Sequence, residues 1–471
     1  MRATPSKTLS SELANFAFST FFEDIPENIR IIAKYHLLDI VGCCVAATSC
    51  ESSKKLVEYV LFEGGNRQAS AIGVSKLVSI SQAAFINGTL ARSLEFDDMC
   101  MPDLHPSGVI IPTVLAVAEF TKKTGKDIIN AISIGLEICI RLSRAGIDLD
   151  FKSHFLEKGL DSSAICGLIA SAAIAAKLLN QNLDKIEQAI NISVSFASGL
   201  LEGNRTGGEI KKFQSGWAAQ SAVNAAFLSE KGIRGPEQSL EGRYGLYSAF
   251  LDGKFNPSVI IANLGSEWLC SDIRFKPYPS NYYTHPGIDG ALKLRNYGIK
   301  SKDIKLINLI VADPMLRAIG EPLERKQNPR NAYESKFSAP YTIASALIGG
   351  AGLGLGNEDF TDELCLEYQR KLLMKKIKVS SNEQCNKIFP QHAPAILVVE
   401  LKNGKILKEE IFINRGSKEL PLTSEELIIK FESNTHYILK DKEIYFLKEK
   451  LLNLNEEDVL SNLYKILRFY T

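Results

Sequence analysis

The chain has 471 residues, which is enough for two domains that each bury a sizeable core. Its 55 basic and 54 acidic residues give a net charge of +1, and no basic run alternates with aromatic residues, which argues against a nucleic-acid partner. Residues 1–7 contain no apolar core of a secretory signal, and the longest apolar run, 164–176, is too short to span a bilayer. Nine cysteines without a C-x-x-C pair therefore predict reduced thiols and a cytoplasmic location.

Helical periodicity dominates the first half of the chain. Apolar residues recur every three or four positions in 29–40, and again in 128–140. Between these segments, an apolar run predicts a helix opened by Ser107 or Gly108, in which Pro112 is tolerated only within the first turn.

The helical pattern continues to about residue 260. The small residues of 164–176 predict a buried helix that packs closely, and Asn182, followed by an acidic first turn, predicts the start of another helix. Alternation typical of strands is scarce in this part of the chain. Residues 1–265 are therefore predicted to form an all-α domain.

Strand patterns appear after residue 260, and helical character returns at 416–471. Asn403-Gly404 is typical of a tight hairpin turn. Helices are predicted at 284–297 and 339–347, between the strands. The segments with strand character are 303–311, 376–379, 395–401 and 405–411.

One loop, residues 93–108, concentrates groups capable of acid–base chemistry. Pro106 keeps the backbone of His105 extended, so this imidazole is expected on a loop, where catalytic groups are common. The alternative is a solvated acidic turn that caps the next helix, and the pattern alone does not separate the two. Cys100 is interpreted as a passive thiol rather than a nucleophile. The loop contains four carboxylates and one histidine, namely Glu95, Asp97, Asp98, Asp103 and His105.

Two other kinds of site are not favoured by the sequence. The glycine-rich run 349–356 lacks a preceding strand and a lysine at phosphate-binding spacing, so a loop after a helix is preferred over a nucleotide site. The six histidines show no H-x-x-x-H spacing and no clustering with cysteines, which argues against a zinc site.

Several motifs, taken together and in their order along the chain, resemble those of the MmgE/PrpD family. This family includes 2-methylcitrate dehydratase, cis-aconitate decarboxylase and iminodisuccinate epimerase. The resemblance implies a mainly α fold with a second α/β domain, in which 1–265 plus 416–471 form the helical domain and 266–415 the α/β domain. The matching segments are 34–42, 84–119, Lys211-Lys212-Phe213-Gln214-Ser215-Gly216, Phe275-Lys276-Pro277-Tyr278-Pro279-Ser280 and Phe337-Ser338-Ala339-Pro340-Tyr341.

The resemblance also implies chemistry on a small carboxylic acid without a metal or organic cofactor. His105 is expected to transfer the proton, because its unperturbed pKa lies near neutrality. Lys211 and Lys276 are expected to hold carboxylates and to spread the charge that builds up, although solvated lysines are the alternative. Glu95 stands where the decarboxylases usually have aspartate and is expected to belong to the catalytic residues with His105, Lys211 and Lys276. The remaining residues expected to bind substrate or line the site are Asp97, Asp98, Asp161, Lys212, Gln214 and Asn281.

Some positions depart from the family pattern. Asp161 and Asn281 stand where aconitate decarboxylases have active-site histidines, and Gln214 where a histidine is common. His285 matches a family histidine that begins a helix. The predicted function is a lyase that decarboxylates or dehydrates a di- or tricarboxylic acid. An epimerase of the iminodisuccinate type and a member with an altered ligand and little catalysis are the alternatives. His105, Lys211 and Lys276 are expected to converge on a cleft between the domains of a homodimer.

Overall fold

The computed structural model describes residues 7–203, 209–454 and 460–469. Contacts divide the chain into two compact units. The first comprises Met1–Ser93, Asp97–Ile273 and Thr435–Thr471, and the second comprises Leu94–Phe96 and Arg274–Asn434. The predicted fold class is confirmed, because the first unit is helical and the second combines helices with a small sheet.

Helices precede residue 274, and helices and strands alternate after it. The elements before residue 274 are α1 (Leu9–Ser19), α2 (Glu27–Ala47), α3 (Glu51–Glu63), α4 (Ile80–Arg92), α5 (Ser107–Thr121), α6 (Gly125–Ala145), α7 (His154–Glu157), α8 (Ser162–Leu178), α9 (Leu183–Val194), α10 (Ile210–Glu230), α11 (Leu246–Leu251) and α12 (Pro257–Ile261). They are followed by α13 (His285–Asn296), β1 (Ile304–Val311), α14 (Asp313–Met315), α15 (Leu323–Lys326), α16 (Ala332–Ser335), α17 (Ala339–Ile348), α18 (Asp362–Leu366), α19 (Tyr368–Met374), β2 (Ile377–Ser381), α20 (Glu383–Ile388), β3 (Ala395–Leu401), β4 (Ile406–Ile411) and α21 (Ser424–Thr435). The last described helices are α22 (Asp441–Leu452) and α23 (Ser461–Leu467).

The core of the first unit forms where α10 packs against α4 and α8. Gly216 of α10 permits the close approach, because a Cβ at this position would come within 2.3 Å of the Phe85 carbonyl oxygen in α4. The run 164–176 lies inside α8 and is buried, as its small residues predicted. A Cβ on Gly167 would lie 2.9 Å from Val109 of α5. Close packing through small residues thus makes these helices a rigid support for the loop between α4 and α5.

Local signals set several helix starts, with one exception. The Asn182 side chain accepts a hydrogen bond from the Lys185 N–H, as expected for the first turn of α9. Helix α5 begins at Ser107, but Pro112 lies inside the helix beyond its first turn. The expected confinement of Pro112 to the first turn was therefore wrong. Nearly all of α5 is buried, and this packing outweighs the local cost of an interior proline, about 3 kcal/mol.

No single helix within the described ranges is both long and apolar enough to cross a membrane. Helices α2 and α3 reach the required length and composition only when they are taken together, and they meet at a bend of 89°.

A four-stranded sheet organises the second unit in the order β2-β1-β3-β4. Strand β1 pairs in parallel with β2 and antiparallel with β3, and β3 and β4 form an antiparallel hairpin. Gly404, with a φ of 86°, lies in the predicted Asn403-Gly404 turn. Helix α13 packs on β3 and β4, and α17 packs on α13. The glycine-rich segment after α17 is largely irregular, with short turns.

Residues 416–434 lie in the second unit, although their helical pattern placed them with the helical domain. Two contacts of α21 account for this position. Its Glu426 pairs with Arg415, and its Lys430 Nζ donates a hydrogen bond of 2.8 Å to the Phe96 carbonyl oxygen. Helical periodicity identifies a helix but does not say which core its buried face packs against.

Candidate active site

The loop between α4 and α5 is held by a buried polar network. Its own backbone closes on itself, because Cys100 and Leu104 exchange N–H to carbonyl hydrogen bonds of 2.6 and 2.9 Å. The Ser107 hydroxyl donates to Asp98 Oδ2, and its N–H donates to Asp98 Oδ1 at 3.3 Å. The same hydroxyl lies 3.2 Å from His36 Nδ1, which donates to it. Asp98 thus joins the loop to α2 and to the first turn of α5.

His105 lies at the end of this loop, with 15% of its side chain exposed. Its Nδ1 is 2.7 Å from the Asp98 carbonyl oxygen. A carbonyl oxygen can only accept, so Nδ1 carries the proton and Nε2 is the nitrogen able to take up another. The Asp97 carboxylate lies 3.4 Å from His105 Nδ1 and 3.4 Å from Nε of the buried Arg92. A carboxylate at this position stabilises the imidazolium that forms when Nε2 is protonated.

The N-terminus of α8 contacts His105 directly. The Ser163 hydroxyl accepts a hydrogen bond of 2.9 Å from the His105 N–H. Asp161 caps the helix, because its Oδ1 accepts from the N–H groups of Ser163 and Ala164 at 3.0 and 3.3 Å. Asp161 is therefore connected to the His105 backbone through Ser163, whose helix it caps.

The lysine motif lies at the start of α10. Lys211 is the second residue of this helix and is half-buried. Lys212 donates a hydrogen bond of 2.8 Å to the Ser52 hydroxyl and pairs with Glu209 at 3.2 Å. Residues 207–208, a glycine pair that precedes these lysines, lie outside the described residues.

Gln214 lines a largely apolar cavity of about 470 Å³ in the first unit. Its Nε2 donates to the Leu200 carbonyl oxygen at 2.7 Å. Gly199, on the wall of the cavity, accepts a hydrogen bond of 3.1 Å from the Asp161 N–H, so the cavity lies next to the cap of α8. Three aromatic rings form much of its wall, those of Phe85, Phe213 and Trp217.

In the second unit, Lys276 and Glu95 form a buried pair. Lys276 Nζ donates to the Glu95 carbonyl oxygen at 3.2 Å and lies 3.9 Å from Glu95 Oε2. Only 1% of the Lys276 side chain and 5% of the Glu95 side chain are exposed. Glu95 has a φ of 55°, a left-handed conformation that a non-glycine residue keeps only when its surroundings impose it. A buried ammonium group in this setting is suited to pairing with a substrate carboxylate.

Two more buried lysines, not singled out from the sequence, bind the same short segment. Lys336 Nζ donates to the Leu94 carbonyl oxygen at 2.8 Å. Lys430 Nζ donates to the Phe96 carbonyl oxygen at 2.8 Å and lies 4.1 Å from the centroid of the Phe96 ring. Three consecutive carbonyl groups, 94 to 96, thus each accept from a lysine. The available signal for Lys430 was its place within the apolar run 427–431.

Asn281 and His285 make local contacts in the second unit. The Asn281 side chain accepts a hydrogen bond of 3.0 Å from the Tyr283 N–H and so caps a short turn. His285 is buried between two tyrosine rings, and its Nε2 donates to the Ser280 carbonyl oxygen at 3.2 Å. Burial, assisted by the charge of Lys276, holds the pKa of His285 well below its usual value. This ring is therefore neutral near pH 7.

The predicted site residues thus form two groups, one in each unit. Hydrogen bonds and ion pairs connect Asp97, Asp98, Asp161 and His105 in the first unit, and Glu95 with Lys276 in the second. Sequence reasoning missed Arg92 and Ser163, and it took Ser107 only as a possible first residue of a helix. Of the two missed residues, Ser163 had a signal, since it follows Asp161 in a polar triplet. In the part of the chain that the structure describes, no group of three or more His, Cys, Asp and Glu residues could hold a metal ion.

Comparison with known proteins covers nearly the whole chain. Residues 11–258 match the family model described as the MmgE/PrpD N-terminal domain, and residues 278–452 match the MmgE/PrpD C-terminal domain. The cis-aconitate decarboxylase of Mus musculus is 25% identical over 480 residues, which cover 98% of this chain and 94% of that protein. The cis-aconitate decarboxylase of Homo sapiens is 25% identical, covering 93% and 89% of the two chains. That of Aspergillus terreus is 24% identical, covering 98% and 96%.

Proposed function

Because the chain belongs to the MmgE/PrpD family, we propose that it is a lyase that needs no cofactor and acts on a small di- or tricarboxylic acid. The proposed reaction removes CO2 or water at a carbon beside a carboxylate. The observation that carries this proposal is the setting of His105, whose Nδ1 is bound to a carbonyl group so that Nε2 is the nitrogen for proton transfer. The relatives named cis-aconitate decarboxylase support a reaction of this class.

The proposed chemistry is divided between His105 and two lysines. In a decarboxylation, the bond to the departing carboxylate breaks, CO2 leaves, and the electron pair left on carbon takes a proton from the His105 imidazolium. In a dehydration, His105 Nε2 instead removes a proton from carbon, and the neighbouring hydroxyl group takes that proton from the imidazolium and leaves as water. Lys276 and Lys211 pair with substrate carboxylates and so stabilise the charge that develops on them.

The other predicted residues have supporting roles in this proposal. Asp97 stabilises the imidazolium, Asp98 fixes the loop, and Glu95 holds Lys276 in place. Lys212 supplies additional positive charge at the start of α10. The residues proposed to shape the substrate-binding surface are Asp161, Gln214 and Asn281. Because these three differ from the histidines expected in aconitate decarboxylases, the proposal covers related acids as well as cis-aconitate.

The second candidate function is an epimerase of the iminodisuccinate type. An epimerase removes a proton from the carbon beside a carboxylate and returns it to the opposite face, without loss of a group. The changed polar residues at positions 161, 214 and 281 favour it, because they alter the surface expected for decarboxylation. A member of the family that binds an altered ligand with little catalysis remains the third candidate.

Proton NMR in D2O distinguishes these candidates. The purified protein is incubated with cis-aconitate, 2-methylcitrate and related acids, in the presence of a chelator. We expect loss of CO2 or water from one of these acids, at a rate that the chelator leaves unchanged. Deuterium uptake without loss of a group would identify the epimerase, and saturable binding without turnover would identify the third candidate.

A homodimer is proposed from the family and from the exposed apolar surface of the first unit. The small-residue helix 164–176, which could have packed within or between subunits, is buried inside that unit. Large apolar side chains are exposed instead around the cavity, where Leu200 is 66% and Trp217 is 52% exposed. We expect light scattering to give twice the mass of the 51.9 kDa chain at micromolar concentration. The mass of a single chain would contradict this.

A cytoplasmic location is also proposed. All nine cysteines are thiols rather than disulfides, and most are buried, which fits a reducing compartment.

A further inference from the structure

Two buried carboxyl groups beside His105 each have one oxygen atom without a hydrogen-bond donor in the described structure. They are Oδ1 of Asp103, on the loop, and Oδ2 of Asp161, at the N-terminus of α8. Each group uses its other oxygen, since Asp103 Oδ2 accepts from the Ser153 hydroxyl at 3.1 Å and Asp161 Oδ1 caps α8. Buried carboxylate oxygens without donors are costly, so this arrangement requires an explanation.

The two segments that carry these groups are in contact. The Ser162 hydroxyl donates to the Asp103 carbonyl oxygen at 3.3 Å, and the His105 N–H donates to the Ser163 hydroxyl at 2.9 Å. Residues 103–105 therefore lie along residues 161–163. One of these contacts is made by the backbone of His105, the proposed proton-transfer residue.

The protonation of Asp103 agrees with this geometry. Burial, opposed by hydrogen bonds from Ser153 and Ser162 and assisted by the charge of Asp161, raises the pKa of Asp103 to about 7. Below about pH 7, Asp103 therefore mostly carries a proton. Among the other titratable groups, the thiol of Cys139 interacts with Asp161 and that of Cys166 with both carboxyl groups, whereas the Arg144 guanidinium pairs with Asp272 and interacts with Cys100. Burial raises the pKa of Cys139 and Cys166 well above the usual thiol value, so neither supplies a charge.

We infer that Asp103 and Asp161 hold one proton between them, which satisfies both unpaired oxygens, and that this carboxyl pair keeps His105 in position through Ser163. The O–H of Asp103 donates to Asp161 Oδ2, and no covalent bond to carbon changes. Asp103 is thus a positioning residue. The positioning role rests on the proposed function of His105, whereas the shared proton does not.

The shared proton predicts how stability depends on pH. The pKa of Asp103 is about 7 in the folded protein and 3.8 when the group is exposed. Between these values the folded protein binds a proton that the unfolded chain has released, so the free energy of unfolding falls as pH rises towards 7 and then levels off. In Asp103→Asn the side chain is uncharged and can also donate to Asp161. The free energy of unfolding of this variant should therefore not fall in this way as pH rises.

Thermal unfolding of the wild type and of Asp103→Asn at pH 5 and pH 8 tests the pair. We expect the variant to gain about 2 °C or more in Tm over the wild type at pH 8, and much less at pH 5. Asp150→Asn, which removes an exposed carboxylate from a nearby loop, is the control and should show no such difference. Equal Tm differences at the two pH values would overturn the shared proton.

Infrared titration keeps the inference testable if Asp103→Asn does not fold. The wild type should show a protonated carboxyl band that disappears near pH 7. Ser153→Ala removes the donor that lowers the pKa of Asp103, so the midpoint of this band should move to higher pH. Absence of such a band at pH 6 would contradict the inference.

The pH profile of kcat tests the positioning role. Loss of the shared proton leaves two repelling carboxylates beside Ser163, so kcat should fall as pH rises above 7 with KM little changed. In Asp103→Asn this fall should move to higher pH, and an unchanged profile would overturn the positioning role. If no acid is turned over at all, the proposed function fails, while the Tm and infrared measurements still decide on the shared proton.

Discussion

His105→Ala should lower turnover of the substrate acid by about 100-fold or more, the usual range for loss of a proton-transfer group. His105 is held at its side chain and at its backbone. Its ring Nδ1 donates to the Asp98 carbonyl oxygen, and its backbone N–H donates to the Ser163 hydroxyl. Its removal deletes the ring nitrogen that exchanges the proton in the proposed reaction. The measurement is kcat by NMR on whichever acid proves to be the substrate, with KM determined in the same series.

The matched control is His436→Ala, which removes an exposed histidine and should leave kcat within about twofold. Thermal unfolding of both variants separates loss of chemistry from loss of folding. If His105→Ala keeps its rate within about twofold of the wild type while Lys276→Ala has none, then His105 does not transfer the proton. A lysine or Asp161 would then be the better candidate for that role.

Lys276→Met should abolish detectable substrate binding and turnover together. Lys276 is buried beside Glu95, so its removal deletes the proposed partner of a substrate carboxylate and also takes a cation away from the Glu95 carboxylate. Breaking a buried ion pair from one side destabilises a protein by about 3–5 kcal/mol. We therefore expect a lower Tm as well as loss of activity.

A double variant separates these two effects. Lys276→Met combined with Glu95→Gln removes both charges of the pair, so it should recover much of the lost stability. It should not recover substrate binding. Lys302→Met, at an exposed position, is the control for the substitution itself. Recovery of activity in the double variant would show that Lys276 supports folding only and does not bind the substrate.

The sequence predicted the elements of this protein more reliably than their assembly. The strands and the Asn403-Gly404 turn were recognisable because alternation and turn residues are local properties of the chain. The proline inside α5 was misjudged, since burial of the whole helix outweighs a local cost. The place of α21 was misjudged for a related reason, because apolar periodicity does not identify the partner of a helix face.

For the candidate site, too, the sequence predicted local features better than contacts between distant segments. Its titratable groups were found because the motif gathers them within one loop, around Asp97, Asp98 and His105. Two of the residues that hold this loop, His36 and Ser163, come from distant parts of the sequence. Lys336 and Lys430 were missed because their partners are backbone carbonyl groups, which every residue has and which the sequence therefore does not mark.

The three carbonyl groups at positions 94 to 96 also limit how this protein can be dissected. A fragment that began at Arg274 and ended at Asn434 would contain the ammonium groups of Lys276, Lys336 and Lys430 without these acceptors. Removing one acceptor from a buried ammonium group is unfavourable, although Lys336 would keep the Pro279 carbonyl oxygen. The second unit is therefore not a portable module. A fragment or a chimera made with a relative therefore needs residues 94–96 together with residues 274–434.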